Sequence, residues 1–215
     1  MKYSLEHIKE TYRVWGRHPL FYKIACIITF LGKENKLRKL AVDRLDLKKS
    51  GTVLDLACGT GLNFQFLQKV IGANGKIIAF DYSNEMLSAA KQRARENNWN
   101  NIIFIQGDAA QLSLPSKVDG VLSTLGISAI PQYKEALKRA VNVLKNNGKI
   151  SILDAQLPSG FWKIFNPLIG YVYKHWASWD YTKNITEEME RLISHLKIER
   201  HNMGTMYIAY GAMNA

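Results

Sequence analysis

Five short runs of apolar and β-branched residues, TVLDLA (52–57), KIIAFD (76–81), NIIFIQ (101–106), VDGVLS (118–123) and KISILD (149–154), recur along the middle of the chain. Longer stretches with helical spacing, 62–71, 84–97 and 133–145, separate them. Strands that are almost continuously apolar must be buried on both faces, and helices between them supply the cover, so the pattern predicts an α/β fold with a parallel sheet. After residue 155 the alternation stops. Residues 156–181 form an aromatic insertion, a helix is expected around 185–195, and LKIERHN (196–202), Met203-Gly204 and TMYIAYGA (205–212) read as two strands joined by a tight turn. The sheet should therefore end in an antiparallel hairpin. Ahead of the alternation, 4–15, 19–31 and 34–45 read as three helices broken by Gly16 with Pro19 and by Gly32, an N-terminal helical cap.

The sharpest local signal is VLDLACGTG (53–61), a buried strand running into a glycine-rich bend. Such a bend brings backbone N–H groups and little side-chain bulk to the carboxyl end of the sheet, where open α/β folds bind ligands. Gly59 and Gly61 would admit close approach of a ligand, and Asp55 would favour its positively charged end, directly or through water. A dinucleotide fold also begins strand, glycine loop, helix, but here the third glycine of that fingerprint is replaced by Phe64, which is expected to crowd a pyrophosphate. No G-K-[ST] follows, so a phosphate-binding Walker loop is absent. Asp81 ends the second strand and could accept bonds from both ribose hydroxyls; Asp108, after the third, could read an adenine amino group. Met86 and Leu87 should pack near that base. Cys58 reads as a small packing residue, and Cys26 and Cys58 have neither disulfide nor zinc spacing, so no metal is expected.

DLACGTG, FDYSNEML, GDA and the segment VDGVLSTLGISAIPQYKEALKRAVNVLKNNGKISILD resemble the successive motifs of class I S-adenosylmethionine-dependent methyltransferases. Within them the likeness is to the group containing the ubiquinone/menaquinone-biosynthesis C-methyltransferases and the bacterial phosphatidylethanolamine N-methyltransferases. The resemblance implies a Rossmann-like seven-stranded, mostly parallel sheet of order 3-2-1-4-5-7-6 with helices on both faces. It implies S-adenosylmethionine as cofactor and S-adenosylhomocysteine as product. It also implies a cofactor site drawn from Asp55, Ala57, Cys58, Gly59, Gly61, Asp81, Tyr82, Met86, Gly107, Asp108, Ala109, Ser123 and Thr124. The chain departs from the group before the fifth strand, where Lys145-Asn146-Asn147-Gly148 replaces a proline and paired glycines. It departs again near the start, where Tyr12 and Trp15 fit but Tyr22-Lys23 replaces Tyr-Asp. With 215 residues and 47% apolar content the chain is sized for one core. The expected organisation is one domain over 1–215: cap 1–49, cofactor-binding core 50–155, insertion 156–181, and terminal helix with strand pair 182–215.

Charge bears on the acceptor. The formal net charge is +11, and residues 1–50 hold 12 basic and 5 acidic side chains, a bias toward anionic partners such as a membrane surface, nucleic acid or an acidic substrate. Lys36, Arg38 and Lys39 are read as outward-facing cap charges. The apolar stretch LFYKIACIITFLG (20–32) is too short to span a bilayer but fits either a packed helix or one lying in a membrane interface. MKYSLEHIKE lacks the apolar region of a secretory signal, so a cytoplasmic protein, peripheral at the inner membrane surface if the cap binds lipid, is expected. The insertion 161–181 is dense in aromatics, as suits a lid over an apolar acceptor, a membrane face or a satellite core. Tyr12, Trp15, Tyr22, Trp176 and Trp179 are candidate acceptor contacts. His18 and His175 are candidate bases, although methyl transfer can proceed by alignment alone. The expected reaction is methylation of a small or amphiphilic acceptor, a phospholipid amine or a quinone precursor. Another small molecule, RNA, a non-catalytic S-adenosylmethionine-binding role or a nicotinamide oxidoreductase are the alternatives.

Overall fold

The computed structural model describes residues 32–157, 163–164, 166–167, 180 and 182–213. The first helix within them, α1 (Glu34–Asp43), is followed by β1 (Thr52–Leu56), α2 (Phe64–Ile71), β2 (Lys76–Asp81), α3 (Asn84–Glu96), β3 (Ile102–Gln106), β4 (Val118–Thr124), α4 (Tyr133–Asn142) and β5 (Leu144–Ala155). Then come α5 (Ile185–Leu192), β6 (Lys197–His201) and β7 (Met206–Ala212). The strands form one sheet of order β3-β2-β1-β4-β5-β7-β6. Pairs from β3 across to β5 are parallel, whereas β7 runs antiparallel to both β5 and β6. The expected order and the terminal hairpin are therefore both present. The expected cap helices 4–15 and 19–31 lie outside the described residues.

Alternation along the strands divides the core between two faces. Val53, Ile77, Ala79, Leu122 and Ile208 pack with Leu37, Ala41 and Val42 of α1, Phe64, Leu67 and Ile71 of α2, and Leu87 and Ala90 of α3. Leu54, Leu56, Ile78, Phe80, Val121 and Ile152 pack on the opposite face with Ala136, Leu137, Ala140 and Val141 of α4 and with Ile185 and Met189 of α5. The i, i+3, i+7 spacing of Phe64, Leu67 and Ile71 lays all three onto the sheet, and each contributes roughly 1.5–3 kcal/mol of apolar burial. Ser83 starts α3 by accepting the Met86 N–H (3.2 Å), the side-chain cap expected of a serine at that place.

One boundary moved for a physical reason. The sequence predicts helix over 133–145, but α4 ends at Asn142 and Leu144, buried, pairs with Val118 of β4. The register then jumps to Gly120 opposite Lys149, and Asn147 sits at φ 61°. The Lys145-Asn146-Asn147-Gly148 run is thus a looped-out irregularity inside a long β5, with Asn147 taking the left-handed conformation that asparagine tolerates.

Candidate functional site

The carboxyl ends of β1, β2, β3 and β4 open onto one cleft that communicates with solvent, the place where open α/β sheets bind ligands. After β1 the chain turns at Ala57 (φ 54°), Gly59 (φ 55°) and Gly61 (φ 76°). Ala57 and Leu125 (φ 59°) each hold a left-handed backbone without being glycine, local strain of a kind that collects at ligand sites. They end neighbouring strands. Gly126 explains part of it, because a Cβ there would come within 2.5 Å of the Ala57 Cβ.

Asp81 fastens the bend. Its Oδ2 accepts the Gly59 N–H (2.8 Å) and its Oδ1 the Ser83 N–H (2.9 Å). A carboxylate has about four acceptor positions, so capacity remains for hydroxyls of a sugar. Burial raises its pKa, and the N–H groups of Ser83, Gly59 and Tyr82 pull it back. The Arg93 Nε donates to the Thr60 carbonyl (2.8 Å), a second tie between bend and α3. Asp108 caps the 3₁₀ turn Ala109–Gln111 by accepting the Ala110 N–H (2.9 Å).

The structure brings Ala57, Cys58, Gly59, Asp81, Tyr82, Met86, Gly107, Asp108, Ala109 and Thr124 together around the cleft. Three other expected site residues stand behind its wall. Gly61 is buried, and its need for glycine comes from a positive φ and from the Phe64 ring, which a Cβ would overlap. Ser123 points away from Thr124, as neighbours on a strand must, and its buried Oγ has no partner among the described residues. Asp55 is 0% exposed: its Oδ1 accepts from Asn63 Nδ2 (2.8 Å) and its Oδ2 is unpaired. Burial pushes its pKa up to about 7 against the Asn63 bond and the Arg38 charge, with Asp81 adding in the same direction as burial. Direct contact between Asp55 and a ligand is therefore not what this geometry offers.

Phe64 also departs from expectation. It does not crowd the cleft; it is 0% exposed and packs edge-on against Trp99 (6.4 Å) and Phe104 (6.1 Å) between α2, α3 and the sheet. Cys58 lines the cleft wall, and burial holds its thiol pKa well above the ordinary value, which leaves it protonated and poorly nucleophilic.

Composition places Arg38 among the outward cap charges, and the structure corrects this: it is 4% exposed and lines the cleft. Its Nε donates to Glu34 Oε1 (2.9 Å), and its Nη1 donates to Asn63 Oδ1 (3.0 Å) and to Thr124 Oγ1. Leu37, Arg38, Ala41 and Val42 form the buried face of α1, so helical periodicity carries a signal that the excess of positive charge obscures.

A second buried cluster shapes the opposite wall. Asp154 accepts the Ser128 hydroxyl (2.8 Å) and N–H (3.0 Å), and Lys183 Nζ donates to the carbonyls of Ser128 (2.6 Å) and Ile130 (2.9 Å). Together they hold Ala129, Ile130 and Pro131 at the rim. Burial lowers the Lys183 pKa, while Asp180 and Asp154 raise it.

His18, His175, Tyr12, Trp15, Tyr22, Trp176 and Trp179 lie outside the described residues. His195 and His201, on the strand-pair side of the sheet, do not line the cleft. Among the described residues there is no group of three or more potential metal ligands, and no helix is long and apolar enough to cross a membrane.

A family profile described as a methyltransferase domain matches residues 47–207. The demethylmenaquinone methyltransferase of Listeria welshimeri is 28% identical over 157 residues, 72% of this chain and 66% of that protein. The chain thus spans slightly under two thirds of the length of that relative. Among solved structures, a SAM dependent methyltransferase from Aquifex aeolicus is similar in fold, with TM-score 0.58 and 18% identity over 82% of this chain and 89% of that one. Haemonchus contortus phosphoethanolamine N-methyltransferase 2, in complex with S-adenosyl-L-methionine, gives TM-score 0.70 and 16% identity over 86% and 53%.

Proposed function

The chain belongs to the methyltransferase domain family, and from that membership we propose that it is an enzyme whose cleft holds S-adenosylmethionine and directs its methyl group to a small, amphiphilic acceptor. The observation that carries this is the sequence of groups across the sheet: Asp108 after β3, Asp81 at the end of β2, the Gly59 bend after β1 and Thr124 at the end of β4. Those groups fit an extended adenosyl ligand, base over β3 and sugar over β2. At Gly59 a Cβ would meet nothing within 4 Å, so glycine there leaves the space a close-lying ligand needs.

The cofactor, when bound, supplies a methyl group on a sulfonium, which a nucleophile displaces in line. The residues of this chain hold and orient: Asp81 and Asp108 fix the nucleoside, the strained Ala57 and Leu125 backbones set the walls, and the Ser128–Pro131 rim limits water. Alignment of this kind accounts for a large part of the rate of bimolecular reactions. Asp81 and Asp108 are taken up by the nucleoside in this reading, which leaves His18 and His175 as the candidate bases for a carbon acceptor.

We take the acceptor to be a quinone precursor in preference to a phospholipid amine, because the similar curated proteins act on demethylmenaquinone by name. The basic excess in residues 1–50 supports a working position at an anionic membrane surface, with Arg38 withdrawn from that excess. Calorimetric titration with S-adenosylhomocysteine and with reduced nicotinamide dinucleotide tests the cofactor: binding of the first alone is expected, and binding of the second alone sinks the reading. Transfer of a labelled methyl group to demethylated quinols, phospholipid amines and small amines then identifies the acceptor.

A further inference from the structure

We propose that Lys183 is a positioning residue for the cofactor cleft: its ammonium substitutes for a backbone donor that the wall after β4 lacks, and the wall keeps its ligand-binding shape only while that charge is held there. The inference rests on the adenosyl-ligand reading above and concerns the nucleoside end of the cleft.

The need for an outside donor is set by the run Gly126-Ile127-Ser128-Ala129-Ile130-Pro131. In a 3₁₀ turn each carbonyl accepts the N–H three residues on. The Gly126 and Ile127 carbonyls do so, taking the N–H groups of Ala129 and Ile130 (both 3.1 Å). The next carbonyl, that of Ser128, would need an N–H from residue 131, which is proline and has none. Lys183 Nζ occupies that place at 2.6 Å and reaches the Ile130 carbonyl as well (2.9 Å). Asp154 takes the Ser128 N–H and hydroxyl, so a carboxylate and an ammonium grip the turn together.

Of the two, only the ammonium comes from outside the sheet. Lys183 closes a turn in which its own N–H donates to the Asp180 carbonyl (3.3 Å) and Asp180 Oδ1 accepts the Thr182 N–H (3.1 Å). It stands just ahead of α5, whose Ile185 and Met189 are buried in the core. The Tyr133 ring of α4 lies 5.8 Å from Nζ, within reach of a cation–π contact. The charges that face Lys183 are Asp154 of β5 and Asp180 of its own turn. The wall it holds gives Ala129, Ile130 and Pro131 to the cleft, and Ile130 packs on the apolar cluster that includes Ala109, next to Asp108. A ligand that binds only the gripped wall loses affinity in proportion to the time the grip is lost.

The probe is methylthioadenosine, an adenosyl thioether without the amino-acid tail. Its affinity is measured by calorimetry at about pH 7 and about pH 10, the interval over which a lysine with a lowered pKa sheds its proton; methylthioadenosine itself ionises nowhere in it. For the natural chain the affinity should fall roughly three- to tenfold across the interval, because a neutral amine keeps donors but loses charge assistance. Lys183→Met should bind roughly tenfold more weakly at the lower pH and show no further fall. Lys183→Arg, charged throughout, should show no fall either. Cys58 in the cleft, Tyr207 opposite Asp154 in the β5–β7 pairing and the Lys134–Glu188 pair of α4 and α5 are common to all three chains, so the difference isolates Lys183. A natural chain whose affinity stays level overturns the proposal by itself, whether or not the variants fold. An equal fall in Lys183→Met, or an unchanged affinity of that variant at the lower pH, overturns it too. If Lys183→Met does not fold, Lys183→Arg decides: a level profile supports the proposal and a fall equal to that of the natural chain ends it. Failure of the natural chain to bind S-adenosylhomocysteine, the fuller ligand, at the lower pH would instead overturn the proposed function.

Discussion

Replacing Asp55 by Asn should change how stability depends on pH far more than it changes the structure. The carboxylate is fully buried, with one oxygen bonded to Asn63 and the other unpaired. An asparagine keeps the first bond through its carbonyl and leaves one polar atom unpaired, as before. What disappears is the ionisation. Burial raises the Asp55 pKa from 3.8 to about 7, so between those values the folded chain holds a proton that the unfolded chain has released. Stability from this site is complete below the unfolded pKa, declines by about 1.4 kcal/mol per pH unit, and is gone once pH has risen through the folded value. The interval of about three units amounts to roughly 4 kcal/mol. Burial also raises the pKa values of Asp81 and Asp154, but both are present in either chain, so these burial contributions cancel in the difference, and the Asp55–Asp81 repulsion that is lost acts in the same direction as burial. Urea unfolding followed by circular dichroism at about pH 4.5, 5.5, 6.5 and 7.5 should show the Asp55→Asn chain gaining on the natural one as pH rises. Parallel curves would refute the reasoning, and so would a gap that widens in favour of the natural chain.

Asp81→Asn presents an amide N–H to one of the two backbone donors that the carboxylate now accepts, and affinity for S-adenosylhomocysteine should drop roughly 10- to 100-fold in a calorimetric titration. Gly61→Ala and Gly59→Ala should separate stability from binding. The first forces a Cβ into the Phe64 ring at a positive φ and should cost roughly 2–5 kcal/mol of unfolding free energy. The second meets no protein atom and should cost only about 1–2 kcal/mol while lowering cofactor affinity about tenfold or more, since the methyl takes the space of close approach. Lys183→Met removes the bonds to the Ser128 and Ile130 carbonyls and should destabilise the chain by about 2–4 kcal/mol, read by thermal unfolding.

The sheet was legible because its signal is redundant. Five nearly continuous apolar runs and a polar-apolar hairpin at the end each constrain the same topology, and an error of two residues at a helix end alters none of it. The floor of the cleft was less legible because it depends on single side chains whose direction the pattern does not state. Asp55 alternates with Leu54 and Leu56 and so belongs to the face covered by α1 and α2, which puts it under the bend and not in it. Phe64 in the place of a glycine looks like an obstruction when only spacing is considered. In space it turns to the core and makes Gly61 obligatory. Arg38 was hidden by composition: in a segment with 12 basic residues one more cation looks like surface, although Ala41 and Val42, three and four residues on, share its helix face and are buried.

The position of Arg38 links the first described helix to whatever occupies the cleft. α1 is not part of the strand-helix alternation; it closes one face of the sheet through Leu37, Ala41 and Val42, and Arg38 enters the same interface with its charge. Withdrawing that charge from water costs several kcal/mol, which Glu34, Asn63 and Thr124 offset through hydrogen bonds. A cofactor carboxylate delivered to the Arg38 end of the cleft would favour the docked helix over a frayed one, and by reciprocity a docked helix would favour the carboxylate. A tenfold affinity contribution from the tail corresponds to about 1.4 kcal/mol of added helix docking free energy, if docking and tail binding are fully coupled. Amide hydrogen exchange in α1 should then slow by up to about tenfold in saturating S-adenosylhomocysteine compared with saturating methylthioadenosine, while α4, on the far face of the sheet, responds alike to both. Equal protection of α1 by the two ligands would show that occupancy of the nucleoside end alone sets the helix, and the coupling through Arg38 would have to be abandoned.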